Sequence, residues 1–160
     1  MAENKLPEID LTIDAGSWSD EPLLLQKVNG AIGAAISVAD LCYAHSAELS
    51  ILLTNDAGVQ KLNLQWRNID KPTNVLSFPA DDIEVGEGAG MLLGDIVMGW
   101  DTLAREAKDE GISFDDHFSH LVVHGFLHLF GYDHQNDADA EIMEQIEREA
   151  LAKLGIADPY

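Results

Sequence analysis

The chain has 160 residues, 46% apolar and 24% charged, with 29 acidic against 9 basic side chains for a formal charge of −20. That length and composition fit one globular domain spanning residues 1–160 and able to bury its own core, and they exclude a disordered or fibrous protein. The lone Cys42 excludes an internal disulfide, and the excess of acids argues against tight unaided binding to nucleic acid, DNA included, because phosphate affinity comes from Lys and Arg displacing counterions.

Met1 to Lys5 shows no basic stretch leading into an apolar one, so no secretion signal is expected. Leu6 to Ile13 alternates apolar and polar residues and reads as a strand, with Ile9, Leu11 and Ile13 on one face. Residues 17–43 open on the cap candidates Ser17, Ser19 and Asp20 and carry Leu23, Leu24, Val28, Ile32, Ala35, Ile36 and Val38 at mostly helical spacing. The small-apolar run inside that helix, Gly30 to Ala39, is about half the roughly 20 residues of a membrane span. A soluble, cytoplasmic protein with no membrane partner is expected.

Glu48 to Leu53 reads as a second strand, and Asn55 or Asp56 can cap a helix running to about Trp66. Asn74 to Phe78 is a third strand, framed by Pro72 and Pro79, which strand ends tolerate. Residues 57–80 hold Lys61, Arg67 and Lys71 against Asp70 alone, a basic island in an acidic chain. Asp81 to Gly90 is acidic and rich in glycine, the mark of an exposed loop, and Leu92 to Trp100 is a fourth strand. Three helices follow. Asp101 is expected to cap the first, ended by Gly111; Ser113 or Asp115 opens the second, ended by Gly131; Asp137 or Asp139 opens the last, through Ile142, Ile146, Ala150 and Leu154. One mixed sheet of about four strands covered by helices is the simplest architecture, an α/β (α+β) fold without a domain boundary.

Five of the six histidines fall between residues 117 and 134. On a helix, His124 and His128 project from one face a turn apart, where two imidazoles can share one metal ion. Gly131 stands where a helix C-terminus favours φ > 0, letting the chain reverse and bring His134 back to the pair. Three imidazoles with a fourth position open match a catalytic zinc site, although nickel, copper or iron would suit the same donors. His120 is expected beside the site or in the core, His117 exposed, His45 structural, and Met143 in the core. The spacing follows the metzincin peptidase pattern H-E-x-x-H-x-x-G-x-x-H, except that Gly125 stands where the catalytic glutamate belongs. The metal cage is kept and the peptidase's base is missing.

With the blocks Leu62-Asn63-x-x-Trp66-Arg67, Pro72 to Pro79 (PTNVLSFP) and Leu93-Gly94-Asp95-Ile96, the histidine stretch resembles the YbeY family of metal-dependent single-strand endoribonucleases, also called rRNA maturation factors. These segments lie in one order across more than half the chain. Trp66 and Asn74 depart from a commoner Tyr and Asp. The resemblance implies a compact α/β fold, a zinc ion on His124, His128 and His134, cleavage of RNA in 3′-end processing of small-subunit rRNA, and a part in ribosome quality control beside a ribosomal protein or assembly factor. It also carries over Arg67, which its sequence neighbourhood alone would assign to an ion pair with Asp70 or Glu48. As a planar fork of donors, Arg67 would clamp the phosphate. Lys61 and Lys71 are weaker candidates for steering it, and Asp133 for orienting a ligand or taking a proton. Two other functions use the same residues: a metallopeptidase or other metal hydrolase, and a non-catalytic ribosome-assembly factor.

Overall fold

In the computed structural model, which describes residues 6–160, four strands form one mixed sheet in the order β1-β2-β4-β3. They are β1 (Glu8–Ile13), β2 (Glu48–Thr54), β3 (Val75–Pro79) and β4 (Leu92–Gly99). β1 and β4 run parallel to β2, and β3 lies antiparallel to β4 at the sheet edge. The helices are α1 (Glu21–Ala39), α2 (Asp56–Arg67), α3 (Trp100–Glu110), α4 (Phe114–Leu129) and α5 (Asp137–Lys153). The expected fold class holds, and most element ends fall within a few residues of the sequence signals. The secretion-signal expectation concerns Met1 to Lys5, outside the described residues.

Alternation along the strands divides the apolar residues between two layers. Leu49, Ile51 and Leu53 of β2, with Ile96 and Met98 of β4, enter the main core with α1, α4 and α5. Val97 and Leu76 point the other way and bury Val59 of α2, with Leu52, Leu62 and Phe78 partly buried beside them. α2 therefore lies on one face of the sheet and α4 on the other. By length and composition α1 could span a bilayer, yet its Leu24, Val28, Ala31, Ile32 and Ala35 are buried in this core. α4 is enclosed on most sides, with Phe118, Val122, Val123, Phe126 and Leu127 all fully buried. Each such large side chain contributes about 1.5–3 kcal/mol, so packing more than helix propensity holds α4 in place.

Three helix starts follow their side chains. Asn55 Oδ1 accepts from Gly58 N at 2.9 Å, Ser113 Oγ from Asp116 N at 3.1 Å, and Asn136 Oδ1 from Asp139 N at 2.9 Å. The last is a correction: Asn136 caps α5, and Asp137 and Asp139 sit in its first turn beside the positive end of the helix. Asp101 does not cap its own helix either. α3 begins one residue earlier, after Gly99, and Asp101 Oδ2 instead accepts from Asp56 N at 2.9 Å. Asp56 Oδ1 returns the contact, accepting from Thr102 N at 3.0 Å and from Thr102 Oγ1 at 2.7 Å. The N-termini of α2 and α3 thus cap each other.

Candidate metal centre

The C-terminal turn of α4 sets His124 and His128 side by side, with ring centroids 4.6 Å apart and Nε2 atoms 3.0 Å apart. Gly131 then reverses the chain at φ +93°, and a Cβ there would fall 2.5 Å from the Ile83 carbonyl oxygen, so both conformation and space require glycine. The reversal brings His134 within 5.4 Å of the His124 ring and 5.2 Å of the His128 ring, centroid to centroid. One ring nitrogen from each of the three lies within 4.8 Å of the others. His124 and His128 are half-buried and His134 is exposed, so the cluster opens to solvent on one side.

The outer contacts decide which nitrogens converge. His128 Nδ1 lies 2.8 Å from the Tyr132 carbonyl oxygen, and His124 Nδ1 lies 3.1 Å from Glu147 Oε1. A carbonyl or an ionised carboxylate only accepts, so both Nδ1 atoms donate, and in the neutral rings both Nε2 atoms present lone pairs. Two lone pairs 3.0 Å apart repel unless a cation or a proton lies between them. Three imidazoles so arranged fit zinc or a similar transition ion. Burial, with the neighbouring His124 charge, lowers His128 to about 4 despite the opposing Tyr132 carbonyl. The ring is therefore neutral near pH 7, as a metal ligand must be.

Glu147 has no counterpart among the residues expected from sequence. This α5 carboxylate is 1% exposed and receives His120 Nε2 at 2.7 Å as well as His124. Burial alone would raise its pKa, but the hydrogen bonds and charges of His120 and His124 outweigh that and hold it at about 2. A signal existed: Glu147 falls on the buried stripe of α5 with Met143, Ala150 and Leu151, where an acid without a partner would be costly.

His120 thus stands beside the cluster, outside the three ligand candidates, and Met143 is in the core, both as expected. His117 is corrected from exposed to buried. It is 3% exposed, and its Nε2 pairs at 2.9 Å with Glu106 Oε1 of α3, which also accepts from Asn74 Nδ2 at 3.0 Å. His45, expected to be structural, is exposed.

Arg67 ends α2 on the far face of the sheet and reaches the β3 edge, donating from Nη2 to the Ser77 carbonyl at 3.0 Å and lying 5.5 Å over the Phe78 ring. Neither Asp70 nor Glu48 pairs with it among the described contacts, and Asp70 instead accepts from Gln60. On the other side of β3, Ser77 Oγ donates to the Gly125 carbonyl at 2.9 Å. A pocket of about 730 Å³ is lined by Arg67, Asn74, Ser77, His124, His128 and His134. Asp133 also lines it, although one of its oxygens accepts from the His134 amide at 2.7 Å. Lys71 lines a smaller neighbouring pocket that Arg67 shares, while Lys61 is exposed outside both. A Cβ at Gly125 would lie 3.1 Å from Ser77 Oγ and 3.2 Å from Val75 Cγ2, so a glutamate at this position facing β3 would crowd both side chains.

The family model described as endoribonuclease YbeY matches residues 19–155. The endoribonuclease YbeY of Rhodopseudomonas palustris strain BisB18 is 53% identical, covering 96% of this chain and 92% of its own. That of Bartonella bacilliformis is 47% identical over 95% of this chain and 96% of its own. A solution structure of a Thermotoga maritima protein shares the fold with a TM-score of 0.57 at 21% identity, covering 94% and 97% of the two chains. A match over most of the chain, with relatives near half identity along their lengths, places this chain in the YbeY endoribonuclease family.

Proposed function

We propose that the protein is a zinc-dependent endoribonuclease that cuts single-stranded RNA in the cytoplasm, acting at the 3′ end of small-subunit rRNA and in ribosome quality control with a ribosomal protein or assembly factor. The observation that carries this reading is the shared pocket: the converging nitrogens of His124, His128 and His134 lie in one open cavity with the guanidinium of Arg67. His124 and His128 would hold the ion through Nε2, with His134 as the third ligand from the reversed turn. Bound there, zinc supplies Lewis-acid polarisation of a phosphoryl oxygen and an activated water. The Arg67 fork, already held by the Ser77 carbonyl, would clamp the scissile phosphate and offset the charge that develops as it is attacked. Asp133 is within the same cavity and is the nearest carboxylate in sequence for taking a proton. The peptidase alternative gains nothing at Gly125, which lacks the carboxylate it requires and where a side chain would crowd Ser77 and Val75.

Metal analysis of the purified protein, joined to cleavage assays on single-stranded RNA, duplex RNA and a peptide, tests this reading. One equivalent of zinc and cuts confined to single strands are expected. His128→Ala should lose metal and cleavage together; full metal occupancy in that variant would disprove the cage. Peptide cleavage without RNA cleavage would choose the metallopeptidase, and complementation by a folded, metal-free variant would choose the assembly factor.

A further inference from the structure

Three donors meet the Glu147 carboxylate, and the third comes from a segment the pocket does not include. Beyond α5 the chain folds back along that helix. Arg148 Nε and Asp158 pair at 3.2 Å, the Asp158 carboxylate accepts from the Tyr160 amide at 2.9 Å, and the Arg148 guanidinium lies 5.3 Å over the Tyr160 ring. These contacts deliver the Tyr160 hydroxyl to 3.1 Å from both Glu147 oxygens, with its ring edge-on to His120 at 5.6 Å. No Lys or Arg lies in ion-pair contact with Glu147 among the described residues. Its charge is met by two imidazole N–H groups and one phenol. A buried carboxylate costs several kcal/mol when left unpaired, and an apolar residue on this stripe of α5 would have packed without that cost. The arrangement therefore calls for an explanation beyond packing.

That explanation lies in His124. Its Nδ1–H donates to Glu147, which fixes the tautomer, aims Nε2 at the ligand position and raises the basicity of the ring. His120 and Tyr160 hold the carboxylate in the orientation that receives that bond, and Tyr160 covers it. We propose that Glu147, held by His120 and closed over by Tyr160, is the positioning group of the metal centre, so that the segment after α5 sets how tightly the site holds its ion. This inference rests on the metal reading of the three histidines and deepens it.

Glu147→Gln and Tyr160→Phe in the full-length protein test the proposal, because the first removes charge at constant shape and the second removes only the hydroxyl. Zinc affinity is measured by competition with a chelator, melting temperature on the metal-free protein, and the His124 tautomer by ¹⁵N NMR on the same metal-free samples. Zinc affinity should fall about 10–100-fold in Glu147→Gln and about 3–10-fold in Tyr160→Phe, the worth of one hydrogen bond. The Nδ1–H form should dominate in the parent and give way to a mixture in Glu147→Gln, while the metal-free melting temperature of Tyr160→Phe falls by only about 2–4 °C, the loss of one hydrogen bond. Parental zinc affinity in both variants would overturn the proposal, as would lowered melting temperatures with zinc affinity and tautomer unchanged, which would assign both residues to folding alone. A parent that takes up no zinc would refute the metal centre itself, a failure distinct from variants that match a zinc-binding parent.

Discussion

Ser77 ties the two sides of the site together with two different atoms. Its carbonyl accepts from Arg67, at the end of a helix on one face of the sheet, and its hydroxyl donates to Gly125, next to His124 on the other face. The arginine is thereby fixed relative to the histidines without touching them. If Arg67 acts on the phosphate mainly as the transition state forms, Arg67→Ala should keep metal and melting temperature and lose about 10²–10³ in cleavage rate. Arg67→Lys should recover only part of the loss, because a point charge cannot reproduce a two-pronged contact. An Arg67→Ala protein that cuts RNA at the parent rate would exclude the clamp. At Gly125 the argument is steric. Gly125→Glu completes the peptidase motif on paper, but its first side-chain carbon already crowds Ser77 and Val75. Overpacking of this kind costs about 1–3 kcal/mol, so a lowered melting temperature and no proteolysis are expected. A variant that melts with the parent, or that cleaves a peptide, would refute this.

At the scale of elements, the reciprocal caps couple the helix that carries Arg67 to the helix that precedes α4. Asp56 satisfies Thr102 with one oxygen, and the Asp56 amide is satisfied by Asp101. Asp56→Ala should lower unfolding free energy by about 0.5–2 kcal/mol, the range for a lost cap, with metal content unchanged. Denaturant unfolding would show it, and a variant as stable as the parent would mean that water replaces the contact. This pairing also marks the limit of local sequence signals. Periodicity and glycine stops located every helix, and the His-x₃-His…Gly…His spacing located the cluster, because those patterns are set within one element and its turn. Asp101 reads as a cap for its own helix because it lies beside that helix in sequence; its partner is 45 residues away. His117 reads as exposed for the same reason, since its burial comes from Glu106 on α3 packed against it. Glu147 meets His124 only through the packing of α5 on α4, and Tyr160 meets Glu147 and His120 only because the chain returns along α5. Strand order was equally hidden, because parallel neighbours β2 and β4 are joined through a helix and an edge strand that local patterns do not order.

For the whole molecule, a charge of −20 must be reconciled with a polyanionic substrate. The bases available near the cavity are few: Arg67 lines it, Lys71 lines the adjoining pocket, and Lys61 lies on the same helix as Arg67. Asp82 and Asp133 line the cavity as well and repel phosphates. Binding of single-stranded RNA changes with salt by about −0.7 in log–log slope per neutralised phosphate, so three engaged bases give a slope of about −2. The isolated protein should therefore bind free RNA weakly and with a shallow salt dependence, and its cuts on naked RNA should be slow and poorly selective. Selective cleavage would then require a partner that holds the RNA over Arg67, and adding assembled small-subunit particles should raise rate and selectivity together. Fluorescence anisotropy across a salt series, paired with cleavage mapping on free and particle-bound RNA, measures both. Tight binding of naked RNA with a slope steeper than about −5 would show that many more phosphates are engaged than these three side chains can reach, and the dependence on a partner would fall with it.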